Sequence, residues 1–183
     1  MKKETILLIV VTLVVGMLVG TIIASKPSRK ETHEQHIAEI PAVDYQKEIQ
    51  ILKEIVEREP ENRNAWVQLG NKYFDTNQPM EAIESYDKAL GVDGNDPNVL
   101  TDQGIMYRRI GWFNKAIENF IKAKTIDPRH PQSLLNLGIV YSFDLEENVK
   151  AKEAWIRYLE IDSTSATADR VRTMIDHMEN GHN

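Results

Sequence analysis

The 183-residue chain contains no cysteine. That excludes a disulfide framework, a cysteine zinc site, a cysteine nucleophile, covalently attached haem and an iron–sulfur cluster. It also excludes anchors built on cysteine, such as a palmitoyl group or a bacterial lipoprotein lipid. Positive charge is scarce where a folded domain would lie. Residues 1–30 carry five Lys/Arg and one Glu, whereas residues 31–183 carry 17 basic and 27 acidic side chains, a net of −10. Nucleic-acid binding needs a basic face that displaces counterions, so no nucleic-acid partner is expected. Catalytic signatures are missing as well. There is no G-x-S-x-G, no phosphate-binding glycine loop, no H-E-x-x-H and no EF-hand loop. Ser85-Tyr86-Asp87-Lys88 has the Ser-x-x-Lys spacing of some hydrolases, but without their companion motifs it reads as a solvated helix face. His130, His177 and His182 have no visible partner and read as surface histidines. The chain is expected to be neither an enzyme nor a carrier of a cofactor or metal.

Residues Thr5 to Ser25 form one uncharged run of 21 residues. As a helix it spans roughly 31 Å, the thickness of a bilayer's hydrocarbon core. Residues 1–25 are therefore read as a single transmembrane anchor. The rival is a cleaved signal peptide with Ala24 before the cut, but Ile22 is a poor small-residue match and the apolar stretch is long. The positive-inside count is nearly balanced, with Lys2 and Lys3 before the run and Lys26, Arg29 and Lys30 after it. The short Met-Lys-Lys tail favours a cytoplasmic N-terminus, an inner-membrane location and a periplasmic domain. Thr12, Gly16, Gly20 and Ala24 recur every fourth residue, a stripe that lets two membrane helices approach closely. Residues 26–42 are polar, contain Pro27 and Pro41, and read as a tether. His33 and His36 within it lack further ligands and read as solvated.

Beyond residue 62 the chain aligns with itself at a shift of 34 residues. Gly70, Gly104 and Gly138 coincide, as do Tyr73, Tyr107 and Tyr141. Leu69 meets Gln103 and then Leu137; Ala82 meets Ala116; Tyr86 meets Phe120; Ala89 meets Ala123. In this order, Trp66-xx-Leu69-Gly70-xx-Tyr73 followed by Ala82-xxx-Tyr86-xx-Ala89, with Pro128 closing the second unit, resembles the tetratricopeptide repeat. The small residues sit where helices cross closely, and the aromatic and leucine positions fill the spaces between.

The resemblance implies an all-α fold, a right-handed α-solenoid of three helix pairs over 63–96, 97–130 and 131–164. In the third unit Ala151, Trp155 and Tyr158 fall one residue late, which places an inserted residue around the turn Phe143-Asp144-Leu145-Glu146. Residues 43–62, with Ile49, Leu52, Ile55 and Val56 on one face and Pro60 at the end, read as a leading half repeat. Residues 165–183, with Val171, Met174, Ile175 and Met178, read as a capping helix and tail. Eight helices are expected beyond the apolar run.

In this family the first helix of each pair lines a concave face that binds protein segments through the second, fifth, ninth and twelfth positions, sometimes also the sixth and thirteenth. Carried over, that lining is Asn64, Val67, Asn71 and Phe74 in the first repeat. The second repeat gives Asn98, Thr101, Ile105 and Arg108 with Arg109, and the third gives Gln132, Leu135, Asn136 and Ile139, with Phe143 beyond. Its apolar floor and amide edges suit a peptide, with Arg108 and Arg109 offering charge to an acidic group. The co-chaperone subclass grips a terminal carboxylate with basic residues at places here held by Val67, Gln132 and Asn136, so that clamp is not expected. The expected role is a membrane-anchored adaptor that supports assembly of an envelope protein complex, with c-type cytochrome maturation as the candidate process. The alternative is a self-associating scaffold, a homo-oligomer built through the groove and the membrane stripe.

Overall fold

The computed structural model describes residues 44–180, which form eight α-helices and, among these residues, no strand. They are α1 (Tyr45–Arg58), α2 (Arg63–Asp75), α3 (Pro79–Val92), α4 (Pro97–Arg109), α5 (Phe113–Ile126), α6 (Pro131–Ile139), α7 (Asn148–Ile161) and α8 (Ala166–Asn180). The apolar run, the tether, the stripe Thr12, Gly16, Gly20 and Ala24, and His182 lie outside the described residues. Among the described residues no helix is long and apolar enough to cross a membrane.

Local chemistry sets the helix starts. Asp44, Asn62 and Asp96 accept backbone N–H groups of the first turns of α1, α2 and α4, and proline occupies the first turn of α3, α4 and α6. The first helix of each pair ends at a turn containing a left-handed residue: Asn77 (φ 55°), Gly111 (φ 78°) and Glu146 (φ 56°). Gln78 N–H then reaches the Tyr73 carbonyl at 2.8 Å, and Trp112 N–H reaches Tyr107 at 2.9 Å.

The inserted residue of the third pair is not in the connecting turn. Residues 76–78, 110–112 and 145–147 are connections of equal length. Instead α6 runs on into a π-helical turn, Val140–Asp144, in which Leu145 N–H bonds the Val140 carbonyl at 3.1 Å. The reason is physical. The reverse turn needs a fixed number of residues, whereas a helix takes up one more by widening a turn and keeping its hydrogen bonds.

Each helix packs on the next, and the first helices of successive pairs, α2, α4 and α6, also touch. The second helices, α3, α5 and α7, make at most marginal contact with one another. This is a solenoid-like stack with α2, α4 and α6 in its inner row. Close crossing within each pair is set by a glycine facing an aromatic ring. A Cβ on Gly70 would lie 2.5 Å from Tyr86, and one on Gly104 would lie 2.5 Å from Phe120. Gly138 lies tighter still against Trp155. Tyr86, Phe120 and Trp155 are fully buried, each contributing about 1.5–3 kcal/mol by leaving water. At one end Ile49, Leu52 and Val56 of α1 cover Ala65 and Leu69; at the other, Ala168 and Val171 of α8 cover Trp155 and Tyr158.

Candidate functional site

The inner row carries the residues expected to line a groove. Asn64, Asn71, Asn98, Arg109 and Gln132 are exposed, and Val67, Phe74, Ile105, Arg108, Leu135, Asn136 and Ile139 are half-buried. Thr101 differs. It is buried, and its hydroxyl donates to the Pro97 carbonyl at 2.7 Å, so it offers a ligand nothing.

Several polar side chains are fixed by other helices. Tyr86, on α3, donates its hydroxyl to the Asn71 amide oxygen at 2.8 Å, which leaves the two amide N–H groups of Asn71 for the groove. Burial raises the Tyr86 phenol far above its ordinary range, so it remains a donor. Asn136 donates back to the Gln132 carbonyl at 2.8 Å, leaving its amide oxygen. Asn98 accepts at 3.0 Å from His130 Nε2.

His130 is a correction to the surface assignment. It is 6% exposed, and its Nδ1 accepts from Ser133 N–H at 3.3 Å as the cap of α6. With Nδ1 accepting, Nε2 carries the proton donated to Asn98, and burial lowers the imidazole pKa.

Both arginines expected in the groove are engaged within the chain, and the charge of Arg108 is compensated there. Arg108 holds Asp144 with Nε to Oδ2 at 2.5 Å and Nη2 to Oδ1 at 3.2 Å, a two-point pair. Asp144 belongs to the π-helical turn, so the inserted residue of the third repeat helps place it. Arg109 stacks over the Phe74 ring at 4.8 Å and donates to Asn77 Oδ1 at 3.0 Å. A ligand carboxylate must therefore compete with Asp144 at Arg108, and Phe74 is partly roofed by Arg109.

One groove residue escaped the sequence reading. Asp102, at the sixth position of the second repeat, is half-buried and makes no hydrogen bond with its side chain among the described residues. Burial, with Asp96 and Asp75 nearby, pushes its carboxyl up to about 6. The junction of the first two repeats is thus acidic. Its repeat position was the available signal. Asp96 goes the opposite way. Burial alone would raise it, but the Val99 N–H and Arg63 together bring it below the usual carboxylate range.

Comparison with known proteins bears on this arrangement. The tetratricopeptide repeat family matches residues 64–96 and 98–130. The chain carries tetratricopeptide repeats. A third helix pair, with its one-residue expansion, follows the matched repeats. The stack is similar to the crystal structure of MamA, at 24% identity over 75% of this chain and 80% of that one, with a TM-score of 0.70. It is similar to YrrB, described as having an unusual peptide-binding site, at 22% identity over 70% and 66% of the two chains, TM-score 0.64. It is also similar to the first such domain of Spaghetti (RPAP3) bound to an HSP90 peptide, at 24% identity over 64% and 96%, TM-score 0.59. At these identities the likeness carries the fold. Among curated proteins no match is found.

Proposed function

We propose that the protein is a scaffold whose concave face captures segments of partner proteins. The observation that carries this reading is the inner row itself. Val67, Ile105, Leu135 and Ile139 supply a half-buried apolar floor, flanked by Asn71 and Asn136 whose amides are held by one hydrogen bond each and free in part. Such amides grip an extended backbone without reading its sequence. Peptides appear in the descriptions of two similar structures, which agrees with this use of the fold. The basic carboxylate clamp is not present in the lining, since Val67, Gln132 and Asn136 stand in its places. In the same reading residues 5–25 anchor the scaffold in the inner membrane with the repeats outside the cytoplasm. The bound segments then belong to an envelope complex under assembly, c-type cytochrome maturation being the candidate process. Support for this part is the uncharged run and its flanking lysines.

The test is photo-crosslinking in the native cell, with the reactive side chain at Val67 or Ile105 and a control at exposed Lys88. A discrete heterologous adduct from the groove positions alone is expected. The same adducts from Lys88, or adducts only to further copies of this chain, would overturn the reading.

A further inference from the structure

The outer row of the stack is not uniform. Between α3 and α5 a chain of hydrogen bonds closes the gap. Gln103 donates to Asp87 Oδ1 at 2.7 Å and to the Ile83 carbonyl at 3.2 Å, and Asn119 donates to Gln103 Oε1 at 2.7 Å. One repeat later the corresponding residues are Ile121, Leu137 and Ala154. None can form the bridge, and alanine is far smaller than asparagine. At that place, between α5 and α7, a cleft of about 720 Å³ opens over Leu134, Leu137 and Ala154. Ile121 stands in its wall 41% exposed.

The rim is cationic in an acidic domain. Lys124 and Arg129 come from the α5 side, and Arg157 from α7. Among the described residues none of these three has a carboxylate partner within ion-pairing distance, although Glu153 and Glu160 also reach the rim. The other rim cation, Lys150, is held by Glu147 at 2.5 Å. Three cations against two carboxylates, Glu153 and Glu160, leave the rim with a positive excess of one around the apolar floor, a complement to an occupant of opposite sign.

We infer that this outer cleft is a second protein-binding site, separate from the concave face, which takes an acidic segment of a partner protein with apolar side chains along one side. The apolar side chains pack on exposed Ile121 above the buried Leu137 and Ala154, and the carboxylates meet Lys124, Arg129 and Arg157. The volume is that of an ordinary ligand cleft and admits a few side chains rather than a whole domain.

The experiment measures fluorescence anisotropy of a labelled 14-residue peptide of Glu, Leu and Ala, with Leu at helical spacing, against the full-length chain in a non-ionic detergent at about 150 mM salt, where surface steering is screened. Saturable binding is expected, with no binding of the same peptide carrying Lys for Glu. The variant Lys124→Glu/Arg157→Glu is expected to bind at least about tenfold more weakly. Restoring the bridge with Ile121→Asp/Leu137→Gln/Ala154→Asn is expected to abolish binding while far-ultraviolet circular dichroism stays unchanged. A concave-face control, Asn64→Glu/Gln132→Glu, is expected to bind as the wild type does. Equal affinity of the wild type and the charge-reversed variant, or absence of saturable binding, would overturn the outer site. Loss of affinity in the concave-face control alone would overturn it too, while leaving the groove reading in place.

Discussion

Replacing Asp102 by Asn tests whether the acidic junction of the groove carries a stored electrostatic cost. The carboxyl moves from an ordinary 3.8 to about 6 because burial and two neighbouring aspartates disfavour its ionised form. Two pKa units correspond to about 3 kcal/mol as a ceiling. The group is half-buried rather than enclosed, and solvent screening reduces this to about 1–2 kcal/mol. The sign follows from proton linkage. With the folded value above the unfolded one, the native state binds more protons between about 4 and 6, so the contribution of Asp102 is favourable in acid and is lost as pH rises through about 6. Asp102→Asn therefore stabilises the protein at pH 8 and loses that advantage toward pH 4. For a domain of this size the gain at pH 8 is about 3–6 °C in Tm. The assay is thermal unfolding by circular dichroism of both proteins across that range. A Tm difference that stays constant with pH would refute the electrostatic account, and no gain at pH 8 would show the carboxylate to be well solvated.

Gly138→Ala drives a methyl into the buried indole of Trp155, whose N–H is fixed to the Leu135 carbonyl at 3.1 Å. Overpacking of about 1–3 kcal/mol outweighs the roughly 1 kcal/mol of helix propensity gained, so a lower Tm is expected; an unchanged or raised Tm would contradict the close-crossing argument. Glu146→Gly relieves a left-handed residue at φ 56° and is expected to raise the unfolding free energy by about 0.5 kcal/mol after the extra chain entropy of glycine is deducted, read as a higher urea midpoint. A lowered midpoint would show that the Glu146 side chain contributes more than its backbone costs.

Much of the fold was legible because repeat packing is written at short range. A glycine and an aromatic ring 16 residues apart, as in Gly70 and Tyr86 or Gly104 and Phe120, must meet whenever two helices are joined by a three-residue turn. The one-residue delay of Trp155 was equally visible, but not its destination. Whether a turn or a helix takes up an extra residue depends on which hydrogen bonds are cheaper to keep, and here the helix widened.

The sequence by itself determined the helix pairs, their spacing and, Thr101 and Asp102 apart, the residues of the inner row, since a 34-residue period and helical spacing dictate which side chains share a face. Only the tertiary structure decided what those side chains have left to offer. Arg108 meets Asp144 36 residues away, His130 reaches Asn98 32 residues back, and Tyr86 turns the Asn71 amide. The first two pairings depend on how far one repeat is rotated and displaced against the next, and the third on how the two helices of one pair cross, properties of the packed helices that no local pattern encodes. The same displacement, acting on Ile121, Leu137 and Ala154 where the preceding junction has Asp87, Gln103 and Asn119, separates a cleft from a hydrogen-bonded seam.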